Sequence, residues 1–413
     1  MHRVCLILIV TVLLCGCKQR GPNRAATVVP AAPPPAGVTT PSATMPAVAT
    51  TPAQTPRSLP AMASATPQPR STPLPQPDQN LIFDLSFVDP NQGWATGEIC
   101  AHGGPQCRPV LWHTADGGRI WREGVTPDRL VTYQAHQDYP DAPQVLFTTP
   151  KDDWLYGLKL YVTHDGGATW AEAPMPGEVE SLTYADGEAW AIAGVPCLVW
   201  RLTGCTRKRL LASDDLGRSW HPATGWPGLT GSGLSFLRLS GGRAWAVGDR
   251  AIATHNGGKS WQPFAVPEHC TPHGSDWEVM SGDPAGQFWL ICAGAPGGGE
   301  EGRSVYRSPD DGSSWTRVYG PTAAGYAHHL VAISNKTAFL CGSRIPLLRT
   351  DDGGRTWPAA IVPSGGDWSC PALSFVDAQH GWFAVGGDYP YGWNGAIWRT
   401  EDGGVHWQRV GLP

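Results

Sequence analysis

An eight-residue segment ending in tryptophan recurs seven times between residues 114 and 407. The copies start 41 to 54 residues apart, at Thr114, Thr163, Ser213, Thr254, Ser308, Thr350 and Thr400. A period of this length is typical of repeat architectures, in which each copy belongs to one supersecondary unit. The repeat therefore restricts the fold to a propeller or a solenoid of seven similar units.

Each copy has the residues of a hairpin turn. Apolar stretches such as residues 110–112 and 160–162 come directly before it, which indicates a strand. The central glycines reach positive φ without steric cost. An Asp or Asn side chain accepts hydrogen bonds from turn N–H groups, which predicts a structural role for Asp116, Asp165, Asp215, Asn256, Asp310, Asp352 and Asp402. A core position on the returning strand is predicted for Trp121, Trp170, Trp220, Trp261, Trp315, Trp357 and Trp407.

A second motif precedes most copies and joins a Leu-Ser-Phe segment to a Trp-Ala-Val-Gly segment. It occurs at residues 85–97, 182–194, 234–248 and 373–386, with weaker versions at 288–294 and 338–342. Each unit then has four strand segments, two in this motif and two around the turn. Four antiparallel strands repeated radially form a propeller blade. The sequence predicts an all-β, seven-bladed β-propeller over residues 81–413, with four antiparallel strands per blade.

The eight-residue segment resembles the Asp box, or bacterial neuraminidase repeat. Copies two, three, five and six match its pattern fully, whereas Asn256, Ile120 and His406 depart from it in copies four, one and seven. Together with the Gly-Trp-Ala-Val-Gly strand, it resembles the photosystem II stability/assembly factor family. The resemblance covers residues 81–413 and implies a seven-bladed propeller that binds newly made photosystem subunits. The chain departs from that family in a long Pro/Thr-rich segment and in paired cysteines.

The first sixteen residues have the pattern of a lipoprotein signal peptide. His2 and Arg3 are basic, and residues 4–14 form an apolar stretch that is too short for a bilayer span. Leu14-Cys-Gly-Cys17 resembles a lipobox and predicts lipidation of Cys17, although an ordinary secretory signal could also contain these cysteines. The expected location is therefore outside the cytoplasm, on a membrane that holds the lipid anchor.

Residues 17–80 are rich in Pro, Ala and Thr and contain few large apolar side chains. Such a segment cannot bury enough apolar surface to offset the entropy of ordering, so we predict a disordered tether.

The whole chain carries a net charge of −5. This charge argues against binding to nucleic acid, which requires a positive surface.

Eight of the eleven cysteines lie in the predicted propeller. Because the protein is expected to be exported, disulfides between these cysteines can persist. Cys100 with Cys107, and Cys197 with Cys205, flank the loop between the second and third strands of a blade. Facing positions across such a hairpin lie within disulfide range. Two further pairings are expected, Cys341–Cys370 between neighbouring blades and Cys270–Cys292 within one blade.

Strand direction alternates within a blade, so the seven turns lie on one face with the loops between the first and second strands. The long insertions fall on the other face, where loops on a rigid frame usually bind partners. Basic side chains in or beside these insertions form either a solvated rim or a patch for an acidic partner. The candidates are Arg108, Arg129, Arg201, Arg207, Lys208, Arg209 and Arg303.

Catalytic and metal sites have weaker support. Sialidases carry the Asp box, but their Arg-Ile-Pro motif is matched here only in the sixth unit, at residues 344–346. Adjacent carboxylates at 152–153 and 300–301 are the catalytic candidates in principle. His269, Cys270 and His273 supply only three metal ligands. We therefore predict no catalytic residue, no metal and no cofactor.

The predicted function is a monomeric, non-catalytic scaffold that binds a protein partner, such as a subunit of a membrane complex. The alternative is a carbohydrate-active enzyme, such as a sialidase-like glycoside hydrolase, or a glycan-binding propeller. The seven turns and the twenty Trp favour this alternative, but most of those Trp belong to the two repeated motifs.

Overall fold

The computed structural model of the 413-residue chain describes residues 79–101, 107–127, 130, 143–196, 206–231, 234–267, 270, 278–282, 287–293, 302–323, 325–361, 368–387 and 395–412. The chain divides into two compact units, residues 1–71 and 72–413. All described residues belong to the second unit. Cys17, the signal peptide and nearly all of the predicted tether lie outside the described residues, which contain no helix long and apolar enough to cross a membrane.

Seven antiparallel sheets follow one another along the chain, and each is one blade. Blade 1 contains β1 (Gln79–Phe87), β2 (Gly93–Cys100), β3 (Cys107–Thr114) and β4 (Arg122–Glu123). Blade 2 contains β5 (Gln144–Phe147), β6 (Asp153–Tyr156), β7 (Leu160–Thr163) and β8 (Ala171–Ala173). Blade 3 contains β9 (Glu178–Ala185), β10 (Glu188–Pro196), β11 (Thr206–Ser213), β12 (His221–Pro222) and β13 (Leu229–Gly231).

The last four blades repeat the same order. Blade 4 contains β14 (Ser235–Leu239), β15 (Arg243–Val247), β16 (Ala251–Thr254) and β17 (Gln262–Pro263). Blade 5 contains β18 (Glu278–Gly282), β19 (Phe288–Ala293), β20 (Gly302–Ser308) and β21 (Thr316–Ala323). Blade 6 contains β22 (Tyr326–Ala332), β23 (Ala338–Ser343), β24 (Ile345–Thr350) and β25 (Ala359–Ile361). Blade 7 contains β26 (Trp368–Ser369), β27 (Leu373–Phe375), β28 (Gly381–Gly387), β29 (Ala396–Thr400) and β30 (Gln408–Val410).

The prediction of a seven-bladed, all-β propeller with four antiparallel strands per blade is confirmed. Two blades add a fifth strand: β13 pairs with β11 beside β12, and the first strand of blade 7 is divided into β26 and β27. The first strand begins at Gln79, two residues before the expected boundary. Blade 2 also has the predicted second strand, although it lacks the second motif, because β6 reads Asp-Trp-Leu-Tyr rather than Trp-Ala-Val-Gly.

The ring closes by packing between the two ends of the propeller. Among the strands that the structure describes, each blade is one continuous stretch of chain, and none is exchanged between blades 1 and 7. At this closing seam Phe87 stacks on Trp382 with ring centroids 3.5 Å apart. The Gly395 amide also donates to the Asn80 carbonyl at 2.7 Å. The seam therefore depends on side-chain packing and a few hydrogen bonds.

The aromatic residue of each second strand packs toward the turn of the next blade. The Trp382 indole N–H donates to the carbonyl of Gly117 in blade 1 at 3.0 Å, and Trp245 makes the equivalent bond to Asp311 in blade 5 at 3.0 Å. A Cβ added to Gly217 of blade 3 would overlap the Trp154 ring of blade 2, and Gly217 also has φ of 83°. The two sequence motifs thus form one joint between neighbouring blades.

Candidate functional site

The seven turns share one hydrogen-bond pattern, and we call each eight-residue turn a box. The first Ser or Thr hydroxyl lies 2.8–3.0 Å from Oδ1 of the third residue. That Oδ1 accepts the backbone N–H of the seventh residue at 2.8–3.0 Å. The hydroxyl accepts the N–H of the fifth residue, a glycine, at 2.7–3.0 Å. The acidic residues of the boxes are therefore engaged within their own turns.

These bonds also favour the ionised carboxylate. Hydrogen bonds from the side chain and the backbone of Thr169 lower the pKa of Asp165 to about 2. A backbone hydrogen bond from His406 is the main cause that lowers the pKa of Asp402 to about 2. An acid that is held ionised by its own turn is a poor proton donor near neutral pH.

Asp165→Ala should lower the melting temperature by roughly 2–4 °C, because the turn loses the acceptor for Thr169 and Thr163. Asp165→Asn is the matched control. The fourth box naturally carries Asn256, which makes the same Oδ1 contacts, so this variant should melt close to the wild type. Thermal melts followed by circular dichroism measure both. Partner binding lost at an unchanged melting temperature would show that the box does more than hold the turn.

The box turns lie with the loops between the first and second strands. In blades 1, 2, 4, 6 and 7 the first box glycine donates its N–H to a carbonyl in that loop, at Asn91, Lys151, Gly242, Lys336 and Gln379. We call this side the box face. The opposite side, where the second and third strands of each blade are joined, is the loop face. Much of each predicted insertion on the loop face lies outside the described residues.

Three of the basic candidates are exposed on β3 and β11, at the loop face. Arg108 forms an ion pair with Glu123 of its own blade, with Nη2 2.8 Å from Oε1. Arg207 and Arg209 are both exposed on β11. Counted backward from the first residue of each box, Arg209 of blade 3 occupies the position of Lys159 in blade 2, next to the start of the third strand. Arg207 lies two residues nearer to the loop between the second and third strands. Arg129 and Arg201 lie outside the described residues.

Lys208 and Arg303, which the sequence presents as partner-binding candidates, are buried in the structure. The side chain of Lys208 is only 1 % exposed, and Arg303 is 4 % exposed. Side chains alternate along a strand, so Lys208 points to the side of Leu210 and Ala212, which pack in the core beside Ala244 of blade 4. The basic run 207–209 is therefore divided between an exposed side and a buried side.

Lys208 forms a buried ion pair within blade 3. Its Nζ lies 2.5 Å and 2.6 Å from the two carboxylate oxygens of Glu180 on β9. Gly194 lies between the two strands, and a Cβ there would overlap the Glu180 carboxylate. The Trp226 indole donates to the Lys208 carbonyl at 2.9 Å. Sequence reasoning missed this pair because Glu180 and Lys208 are distant in the chain and belong to different strands.

Three disulfides join the cysteines among the described residues. They are Cys100–Cys107, Cys270–Cys292 and Cys341–Cys370. The last one links β23 of blade 6 to the residue that follows β26 in blade 7. Cys197 and Cys205 lie outside the described residues. Because Cys270 is in a disulfide, it has no thiolate to offer to a metal beside His269 and His273, which also lie outside the described part.

The catalytic candidates that are described have structural partners. Asp152 lies 2.9 Å from His164 Nδ1 in the loop beside the box of blade 2. Asp153 accepts the Thr148 N–H at 2.6 Å, and burial raises the pKa of its carboxyl to about 10. Arg344 occupies a tight turn with φ of 59° and lies over the Tyr326 ring, 5.6 Å from its centroid. Glu300 and Glu301 lie outside the described residues.

Comparison with known proteins gives both sequence and fold relatives. No protein-family model matches the chain. The chain is 23 % identical to the photosystem II stability/assembly factor HCF136 of Arabidopsis thaliana, over 75 % of this chain and 74 % of that protein. It is 24 % identical to the photosystem II assembly protein Ycf48 of Thermosynechococcus vestitus, over 70 % of this chain and 75 % of that protein.

Solved structures show the same fold in proteins of different function. YCF48 bound to D1 peptide matches with a TM-score of 0.52 and 21 % identity, covering 79 % of this chain and 95 % of that one. An ancestral GH74 enzyme matches with a TM-score of 0.51 and 14 % identity, covering 80 % and 45 %. The resemblance to the photosystem II assembly factors is confirmed as a distant one: the chain is weakly homologous to that family and has the propeller fold of a solved YCF48 structure.

Proposed function

We propose that the chain is a non-catalytic scaffold that binds a protein partner at its loop face. The observation that carries the proposal is the sequence similarity to assembly factors over about three quarters of the chain, together with a YCF48 structure that is bound to a D1 peptide. The proposed partner is a membrane-complex subunit or another extracytoplasmic protein.

The charges of the described loop-face residues support an acidic region on the partner. Arg207 and Arg209 are exposed side by side on one side of β11, with one residue between them. The buried Lys208–Glu180 pair links that strand to β9 across β10. Two guanidinium groups on a rigid strand can bind carboxylates in a bidentate way at low entropic cost. The proposed oligomeric state is a monomer.

Charge reversal at Arg207 and Arg209 should abolish the partner interaction. The test is a pull-down from membranes of the source organism with the wild type, with Arg207→Glu plus Arg209→Glu, and with a control. The control is Arg218→Glu plus Lys259→Glu, which makes the same change of charge on the box face, where both residues are exposed. We expect the wild type and the control to capture a membrane-protein partner, and the Arg207→Glu plus Arg209→Glu variant not to capture it.

Unchanged capture by the loop-face variant, or equal loss with the control, would contradict the proposed face. A parallel panel of glycosides and acidic polysaccharides addresses the carbohydrate-active alternative, because glycoside hydrolase and polysaccharide lyase propellers share this fold. Turnover that is lost on replacing a loop-face carboxylate would overturn the scaffold proposal.

We propose in addition that the protein is exported and is anchored by a lipid on Cys17, on the extracytoplasmic side of a membrane. The Leu-Cys-Gly-Cys sequence at residues 14–17 supports this, since it follows an apolar stretch that begins after two basic residues. A single anchor of this kind tethers a protein without spanning the bilayer.

Cys17→Ala should leave the protein unprocessed or release it from the membrane fraction. The measurement is membrane fractionation with intact mass determination of the mature N-terminus. Cys15→Ala is the matched control, because it removes a neighbouring thiol and leaves Cys17 in place, so it should stay in the membrane fraction. A Cys17→Ala protein that is still processed and membrane-bound would rule out this anchor.

A further inference from the structure

The loop-face end of blade 1 brings two sulfurs and a carboxylate together. Cys100 and Cys107 lie directly opposite each other in the pairing of β2 with β3. Glu98 lies two residues before Cys100, so its side chain is on the same side of the sheet. The possible ligand atoms of these three residues all lie within 4.8 Å of one another. They are the one such group of three among the described residues.

The burial of the three residues favours a defined site. Glu98 is 0 % exposed and Cys100 is 6 % exposed, whereas Cys107 is partly exposed. Two thiolates and one carboxylate form a donor set that suits Zn²⁺ and other thiophilic divalent cations. In the disulfide the sulfurs are bonded to each other, and this donor set does not exist.

The Cys100–Cys107 disulfide is the most accessible of the three that the structure describes. The four cysteines of the other two disulfides are 4 % exposed or less. Thiol–disulfide exchange requires an attacking thiolate to reach a sulfur. Cys100 and Cys107 are separated by 7 positions, against 22 and 29 for the other pairs. A disulfide that closes a shorter loop stabilises the fold less, so this hairpin can open while the propeller stays folded.

We propose that Glu98, Cys100 and Cys107 form a redox-gated site for a thiophilic divalent cation such as Zn²⁺. A dithiol reductant gives two electrons and two protons to the disulfide and becomes a disulfide itself. The cation then replaces the two thiol protons, and Glu98 supplies the third ligand, which leaves a fourth position for water. A disulfide oxidant takes two electrons from the two thiolates and two protons from water, becomes a dithiol and re-forms Cys100–Cys107, which releases the cation. The site is independent of the proposed scaffold function, and the sequence alone predicted no metal.

The first test measures which disulfide opens. The full chain is used with Cys197→Ser plus Cys205→Ser, so that only the described pairs remain in the propeller. Increasing dithiothreitol is followed by alkylation and peptide mass mapping. We expect Cys100 and Cys107 to be alkylated at lower reductant concentration than the other four cysteines. Alkylation of the two buried pairs at the same or a lower dithiothreitol concentration would overturn the selective opening of Cys100–Cys107.

The second test measures metal binding after the dithiol has been removed under nitrogen. Co²⁺ is the probe, because thiolate ligation gives a charge-transfer absorption in the near ultraviolet. The reduced protein should show this absorption at one Co²⁺ per chain, Zn²⁺ should displace it, and the oxidised protein should lack it. Its absence in the reduced protein would overturn the site.

Variants separate this site from other cysteines. Glu98→Gln should weaken Co²⁺ binding by about tenfold or more, since even residues that only support a ligand contribute that much. Cys100→Ser plus Cys107→Ser should abolish the absorption, whereas Cys341→Ser plus Cys370→Ser should keep it. Unchanged affinity in Glu98→Gln, or an absorption that persists without Cys100 and Cys107, would contradict the proposal. The serine double variant keeps this test decisive if Glu98→Gln does not fold.

Discussion

Replacement of Trp382 by alanine should lower the free energy of unfolding by about 3–5 kcal/mol, the usual cost of removing a buried Trp. Trp382 is fully buried and stacks on Phe87 across the closing seam. Its indole N–H also donates to the Gly117 carbonyl. The substitution therefore leaves a cavity and an unused acceptor where no peptide bond joins the two blades.

Trp245→Ala is the matched control, because Trp245 is equally buried, packs on Phe288 of the next blade and donates to the Asp311 carbonyl. Denaturant unfolding should give a similar loss for both variants. The two variants should differ, however, in native-state hydrogen exchange. Amides of β1 and β28 should exchange by local opening in Trp382→Ala only, since blades 4 and 5 are also joined through the chain. Equal protection of the seam in the two variants would contradict this.

Glu180→Gln should also lower the free energy of unfolding by about 3–5 kcal/mol, because it leaves a buried ammonium group without its carboxylate. The side chain of Lys208 is 1 % exposed, so water cannot replace the lost contact. Lys208→Met should cost less, about 1–2 kcal/mol. The remaining Glu180 side chain is 18 % exposed and keeps some contact with water.

The double variant Glu180→Gln plus Lys208→Met completes a thermodynamic cycle. It should be more stable than Glu180→Gln alone, since no buried charge remains without its partner. Urea unfolding of the four proteins provides the four free energies. Additive losses in the double variant would mean that the pair contributes nothing through its charges.

Most of the fold could be predicted from the sequence because its signals are local and repeated. Each box contains all the groups of its hydrogen-bond network within eight residues, as Thr163, Asp165 and Thr169 show in blade 2. Seven such turns with preceding apolar segments determine the number of blades. The second strand of blade 2 was predicted only from the four-strand repeat, because Trp154 and Leu155 lie in a segment that lacks the small residues of the other copies.

The candidate site was predicted less well, because exposure depends on neighbouring blades. The sequence presents Arg207, Lys208 and Arg209 as one basic run. The structure separates them, with two side chains exposed and the third paired with Glu180 inside blade 3. Strand alternation predicts such a division once a strand is assigned, but it does not say which side is buried. That depends on the packing of Leu210 and Ala212 beside blade 4.

The sequence by itself determined the all-β class, the seven blades, the four strands in each and the turns that join the outer two. These features depend on residues that are close in the chain and on a regular period. Only the tertiary structure decided how the blades join. It places Trp382 on the box of blade 1, although Trp382 and Gly117 are 265 residues apart. Contacts between residues so distant in sequence form only when the ring closes, so no local pattern encodes which aromatic meets which turn.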